Sequence, residues 1–234
     1  MTSLRLNPKF ALNPYLALGW HANPFALGEP VMAPSLWIDR GWSQAPVPAA
    51  QQLVQVLGNK GFGKTAHLRH WQAQTGGVYA YYPPGWGRFK VPPVQTIAYW
   101  DEADRIPAPL LLAALGRAAR TRATLVVGTH TDLSRLAKFS GLAVQTIRLP
   151  PLEATTLRIW TERQIQAVRL PTVPCGVELS SATAHEITAI AQGSWRAAAD
   201  ELHIWAAAIA HQAVREGRDR RHPISQADLS LRRR

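Results

Sequence analysis

The chain has 234 residues, 47% hydrophobic and 18% charged, which suffices for one good core or two small ones and excludes disorder as the dominant state. Its 26 lysines and arginines against 15 acids give a formal charge of +11, so nucleic acid or another polyanion fits as a partner. No run of 18 apolar residues occurs, and Arg5, Lys9 and the Asn13-Pro14 break fit neither a membrane span nor a secretory leader, so a cytoplasmic protein with no membrane span is expected. The one cysteine, Cys175, cannot form an internal disulfide, and it reads as a small loop residue beside Pro174 and Gly176. The histidines do not pair with cysteine at zinc-ligand spacing; His67 and His70 are an i,i+3 pair on an expected helix, short of a tetrahedral shell.

Residues 1–50 hold seven prolines interleaved with Trp20, Trp37 and Trp42, which predicts an irregular segment packed over the body of the protein. At residue 51 the pattern changes. Leu53-Val54-Gln55-Val56-Leu57 is apolar and β-branched and reads as a buried strand running into Gly58. Gly58-Asn59-Lys60-Gly61-Phe62-Gly63-Lys64-Thr65 then matches G-x-x-x-x-G-K-[ST], followed by Ala66 and a helical stretch with Leu68 and Trp71 on one face. A strand before the motif and a helix after it are the setting the motif requires. The glycines let backbone N–H groups curl around a polyphosphate, and the next helix turns its positive end to the same anion. Lys64 would add a point charge near the β- and γ-phosphates, and the Thr65 hydroxyl would bind Mg²⁺.

Val78–Tyr82 reads as a second strand, and Pro83–Pro93 is too punctuated for the usual crossover helix. Thr96–Trp100 is a third, buried strand that delivers Asp101 and Glu102 at its C-terminal end, where ligands bind in open α/β sheets. This is a Walker B arrangement. Asp101 would hold Mg²⁺ through water, and Glu102 would polarise the water attacking the γ-phosphate, which favours hydrolysis over transfer to a substrate. A helix follows with Leu111, Leu115 and Ala118 inward. Thr124–His130 is a fourth strand whose tip places Thr129 or His130 to sense the γ-phosphate, and Gln145–Leu149 is a fifth. After Pro150-Pro151 the pattern is helical.

This order of phosphate loop, Asp-Glu pair, polar strand tip and C-terminal helices resembles the AAA+ ATPases. Gly193-Ser194-Trp195-Arg196, followed by a helix with Leu202, Trp205 and Ile209 on one side, looks like that family's sensor 2 segment. By that resemblance Arg196 would reach the γ-phosphate. The likeness spans about residues 51–215 and is nearest to compact bacterial members that regulate transposition or serve secretion-type machines, in which Asn-Pro-Phe, here Asn23-Pro24-Phe25, also precedes the core. It implies a P-loop NTPase α/β fold of about five parallel strands with a small helical lid. The expected organisation is an irregular segment over 1–50, an ATPase core over 51–150, a lid over 151–215 and a basic tail over 216–234. It also implies ATP and Mg²⁺, hydrolysis, and a homo-oligomer with nucleotide at subunit interfaces, acting with DNA or a protein partner. An arginine finger would come from after the fourth strand; Arg135 is best placed, with Arg120 and Arg122 competing. The shortened 83–95 segment departs from the family and puts in doubt any partner or DNA loop carried there.

Three other readings stand beside this one. Asp101-Glu102-Ala103-Asp104 spells the helicase box, but such helicases need two RecA-like domains, more than this chain holds. Thr129-His130-Thr131-Asp132 resembles the base-recognition element of GTPases, with His130 in place of its lysine and no D-x-x-G after the third strand. An ATP-gated scaffold with negligible turnover is the third. The last twenty residues carry seven arginines against three acids, which suits either a phosphate-contacting tail or a solvated terminus.

Overall fold

The computed structural model describes residues 13–25, 37–171 and 176–216. Cys175 and the tail arginines from Arg218 onward lie outside the described residues. Two compact units are distinguished, one within 32–150 and the other combining the N-terminal stretch to residue 31 with residues from 151 onward.

The first unit is built on five parallel strands in the order β2-β3-β4-β1-β5. These are β1 (Gln52–Leu57), β2 (Val78–Tyr81), β3 (Ile97–Asp101), β4 (Thr124–Thr129) and β5 (Ala143–Arg148). This is the expected α/β fold. The middle strands β3 and β4 are buried throughout, and β1 nearly so, because both sheet faces are covered. Helix α1 (Lys64–Thr75) covers one face with Leu68 and Trp71, over Val54, Val56, Tyr99 and Val126. Helices α2 (Ala108–Arg120) and α3 (Ser134–Phe139) belong to the other core, where Leu111, Leu115 and Ala137 join Leu53, Trp100, Leu125 and Val127. Between β2 and β3 the chain makes only a short 3-10 turn, Gly85–Phe89, and the Trp100 indole N–H pins this crossover by donating to Pro93 O at 2.9 Å. β5 starts at Ala143, two residues before the sequence pattern placed it. It is an edge strand whose Ala143, Gln145 and Thr146 are exposed, so burial periodicity marks its start poorly.

The expected N-terminal segment divides between the units. Residues 37–50 lie beside the sheet and α1: the Trp71 indole donates to Trp42 O at 2.9 Å, and Trp37 stacks on His70 at 3.7 Å between ring centroids. Arg40 donates to Phe62 O at 2.8 Å and also to Pro150 O. Residues 13–25 belong instead to the helical unit of α4 (Ala154–Val168), α5 (Ser181–Ala191) and α6 (Trp195–Glu216). There Trp20 and Phe25 are buried with Leu157, Ile187, Leu202 and Trp205. Asn23 donates to the Tyr15 hydroxyl and to His203 O, so Asn23-Pro24-Phe25 fixes a turn onto α6. Among the described residues no helix is long and apolar enough to cross a membrane.

Candidate functional site

Parallel strands with crossovers leave all their C-terminal ends on one edge, and the polar residues of the sheet unit gather there. β1 ends at Leu57 and runs into the loop 58–63, and β3 and β4 end at Asp101 and Thr129 on the same edge. Gly63 takes φ +90°, a left-handed turn natural to glycine, and caps α1 with no side-chain hydrogen bond. The first N–H groups of α1 are thus left without a capping side chain, which suits an anion.

Lys64 is buried, and its ammonium donates back to the loop, to Gly58 O at 2.8 Å and Asn59 O at 3.2 Å. Burial pulls its pKa below the ordinary lysine value, against the attraction of Glu102 and Asp101. Asn59 and Lys60 are exposed, while Gly61, Phe62 and Ala66 are half-buried. The Thr65 hydroxyl donates to Asp101 Oδ2 at 2.6 Å, joining the first helical turn to the end of β3. Gly128 leaves the room for that carboxylate: a Cβ on it would lie 2.8 Å from Asp101 Oδ1 and 3.5 Å from Lys64 Cβ.

Glu102 has φ +59°, a left-handed backbone that costs a non-glycine residue about 1 kcal/mol and turns the chain sharply off β3. Its Oε2 lies 2.9 Å from Arg105 Nη2 and 3.3 Å from His130 Nε2. The His130 ring also lies beside Lys64 Nζ, at 3.2 and 3.4 Å, so it stands between the lysine and the glutamate. Its backbone N–H donates to Asp104 Oδ1 at 3.2 Å. Thr129 is wholly buried, and its hydroxyl closes its own turn, donating to Thr131 O at 2.8 Å and accepting from Thr131 N at 3.1 Å. Of the two strand-tip residues, His130 is therefore the one that faces Lys64 and Glu102.

Three contributors have no signature in the sequence. Tyr79 on β2 donates its hydroxyl to Asp101 Oδ2 at 2.8 Å. Burial first, then the Asp101 charge, raise this phenol well above its ordinary value, so it stays a donor. Arg105 ties Glu102 to Tyr82 O, to which it donates at 3.2 Å. Buried Gln55 on β1 reaches Asp132, Ser134 and the Leu133 N–H. The strand positions of Gln55 and Tyr79 could only have hinted that each polar group needs a partner, and Arg105, in a 3-10 turn, carries not even that hint.

Arg135 is exposed on α3. Arg122 lies just before β4, its carbonyl accepting from Gln51 N at 3.2 Å, and so stands with Arg120 at the sheet edge opposite the phosphate loop. Arg196 is exposed on the first turn of α6 in the helical unit, after Ser194, whose hydroxyl accepts from Ala197 N at 3.3 Å.

The donor set fits Mg²⁺: a hydroxyl and a carboxylate, hard oxygen ligands, on the first turn beyond a phosphate loop. When bound, the ion would neutralise phosphate charge.

No protein-family model matches the chain, and no curated protein matches it. The chain is similar to a variant of RuvB from Thermotoga maritima, with 18% identity and a TM-score of 0.45 over 65% of this chain and 53% of that one. It is also similar to Cdc6p from Pyrobaculum aerophilum, with 18% identity and a TM-score of 0.44 over 71% and 56%. A third likeness, to a DNA replication initiation factor, has 11% identity and a TM-score of 0.47 over 73% and 59%. The chain thus spans little more than half the length of the structures it matches.

Proposed function

We propose that the chain is a Mg²⁺-dependent ATPase of the AAA+ type that works as a homo-oligomer with nucleotide at subunit interfaces, acting with DNA or a protein partner. One observation carries the catalytic part: Thr65 and Asp101 are hydrogen-bonded at 2.6 Å, beside a buried Lys64 on the phosphate loop and with Glu102 next in the chain. In this reading residues 58–66 enclose the triphosphate, Lys64 leaves the carbonyls of Gly58 and Asn59 for phosphate oxygens, and Thr65 and Asp101 serve the metal. Glu102 orients and deprotonates the attacking water. His130 stands where a γ-phosphate sensor would couple Lys64 to Glu102, with Thr129 shaping the turn that presents it. Arg135 acts as the finger of a neighbouring subunit, and Arg196 as sensor 2. The DNA part draws on the +11 charge and on the β2–β3 crossover, where exposed Trp86 and Phe89 sit with Arg88 and Lys90. Bases stack on aromatic rings, and cations pair with phosphates.

A guanine preference draws no support from Asp132, whose Oδ1 accepts from Gln55 and from Ser134 N at 2.7 and 2.8 Å. The non-hydrolysing scaffold has one observation in its favour, the engagement of Glu102 by Arg105 and His130.

Fluorescent ATP binding and phosphate release, measured on two variants, test the assignment. Lys64→Ala should abolish binding, while Glu102→Gln should keep binding and lower hydrolysis at least hundred-fold, the usual scale for a general base. Equal loss of binding in both would refute the roles, and a wild-type chain that binds without turnover would select the scaffold.

A further inference from the structure

Asp101 is 1% exposed, and its carboxylate is held from three directions. Thr65 and Tyr79 both donate to Oδ2, at 2.6 and 2.8 Å, and the Glu102 N–H donates to Oδ1 at 3.1 Å. A carboxylate offers about four lone-pair directions, so two donors saturate Oδ2, and Oδ1 is the oxygen with acceptor capacity to spare. Thr65 has a single hydroxyl proton and gives it to Asp101, so its own lone pairs remain to face a cation. Without the tyrosine hydroxyl, Oδ2 would keep one donor, and only Thr65 and the longer Glu102 N–H bond would oppose rotation of the carboxylate.

The tyrosine is itself set in place. β2 and β3 pair with Tyr79 beside Tyr99 and Tyr81 beside Asp101, so strand alternation puts Tyr79, Tyr99 and Asp101 on the face covered by α1. From α1 the Arg69 guanidinium lies 3.4 Å over the centre of the Tyr79 ring. The hydroxyl is therefore delivered to Asp101 from an edge strand by a ring clamped from above. No motif assigns this contact.

We propose that Tyr79 is a positioning residue for magnesium: its hydroxyl fixes the Asp101 carboxylate so that Oδ1 is presented to the metal, setting the affinity for Mg²⁺ in the nucleotide-bound protein while leaving nucleotide affinity alone. This rests on the phosphate-site reading above. Groups that hold a metal ligand in place are typically worth ten- to hundred-fold in metal affinity, and the lower end applies because Asp101 acts through water.

The test uses the full chain with Mn²⁺ as a paramagnetic probe, titrated in the presence of saturating ADP, on wild type, Tyr79→Phe and Arg69→Leu. ADP affinity and melting temperature are measured separately in EDTA. Tyr79→Phe should weaken Mn²⁺ binding about ten-fold with both EDTA measurements unchanged, and Arg69→Leu, which removes the clamp but keeps the hydroxyl, should weaken it by a smaller factor. Unchanged Mn²⁺ affinity in Tyr79→Phe would overturn the proposal. So would a loss in Arg69→Leu as large as that in Tyr79→Phe or larger, or a drop in the ADP affinity or melting temperature of Tyr79→Phe in EDTA, which would mark a structural role. A wild-type chain that fails to bind ADP in EDTA would sink the phosphate-site reading and Tyr79 with it, whereas normal ADP binding with an indifferent Tyr79→Phe would sink the Tyr79 proposal alone.

Discussion

Gln55 is wholly buried in the strand that leads to the phosphate loop, where an unpaired amide would be costly. Its Nε2 lies within 2.7–2.8 Å of Asp132 Oδ1, Ser134 Oγ and Thr146 Oγ1, and its Oε1 accepts from Leu133 N at 2.9 Å. An amide nitrogen has two hydrogens, so the three acceptors share two bonds. Replacing it with leucine leaves the buried Leu133 N–H unpaired, and Gln55→Leu should destabilise the sheet unit by about 1–3 kcal/mol, read from urea unfolding. Hydrogen bonds from Ser134 and then Gln55 pull the Asp132 carboxyl down to about 2. Because its folded value lies below the unfolded one, its contribution to stability is present above about pH 4 and is lost as pH falls toward 2. The variant should show a shallower acid dependence in that window, and an unchanged one would detach Gln55 from the carboxylate. At this scale legibility follows spacing. Lys64, Thr65, Asp101 and Glu102 stand out as candidates because their motifs depend on neighbours in sequence. Gln55 and Tyr79 do not, because their partners are set by register, Gln55 beside Thr146 on β5 and Tyr81 beside Asp101 on β3.

Among the elements, the buried strands and α2 were legible because continuous apolar runs and the 3.6-residue spacing of Leu111, Leu115 and Ala118 report burial directly. The division of the N-terminal stretch was not, since prolines and tryptophans announce irregular packing without saying against what. Helix α3 is only six residues, Ser134–Phe139, with Leu133 and Ala137 buried and Arg135 and Lys138 exposed. Gln55 anchors its first turn to β1, so Arg135 is presented from a fixed base. A finger supplied by a neighbour contributes about 10³–10⁵ in turnover. Arg135→Ala should therefore lose hydrolysis by about thousand-fold or more while binding ATP normally, and turnover per subunit of the wild type should rise with protein concentration. Mixing Arg135→Ala with Glu102→Gln subunits tests the geometry. The first keeps an intact site and the second an intact finger, so the mixture should recover activity that neither has alone. A fully active Arg135→Ala would move the finger elsewhere, and an inactive Arg135→Ala whose mixture also stays silent would refute the shared site.

At the scale of the whole molecule the controlling quantity is charge. The excess of +11 is spread over the chain, but residues 217–234 hold six arginines against two aspartates, a local +4 joined to the end of α6. Each phosphate neutralised on a duplex releases condensed counterion, so the logarithm of affinity falls with the logarithm of salt at a slope near 0.9 per contact. Four contacts predict a loss of roughly hundred-fold between 50 and 200 mM salt. Deleting the chain after Glu216 should flatten that dependence and weaken binding most at low salt, without changing ATP affinity, since the deletion leaves residues 58–66 untouched. The aromatic crossover gives a separable signal. A base stacked on Trp86 would be held by a contact insensitive to salt, so Trp86→Ala should lower affinity for single strands by about 1–3 kcal/mol and leave the salt slope intact. Titrations of labelled duplex and single-stranded DNA across that salt range distinguish the two. A slope unaffected by the deletion would take the tail out of DNA binding and leave the charge with solubility as its role.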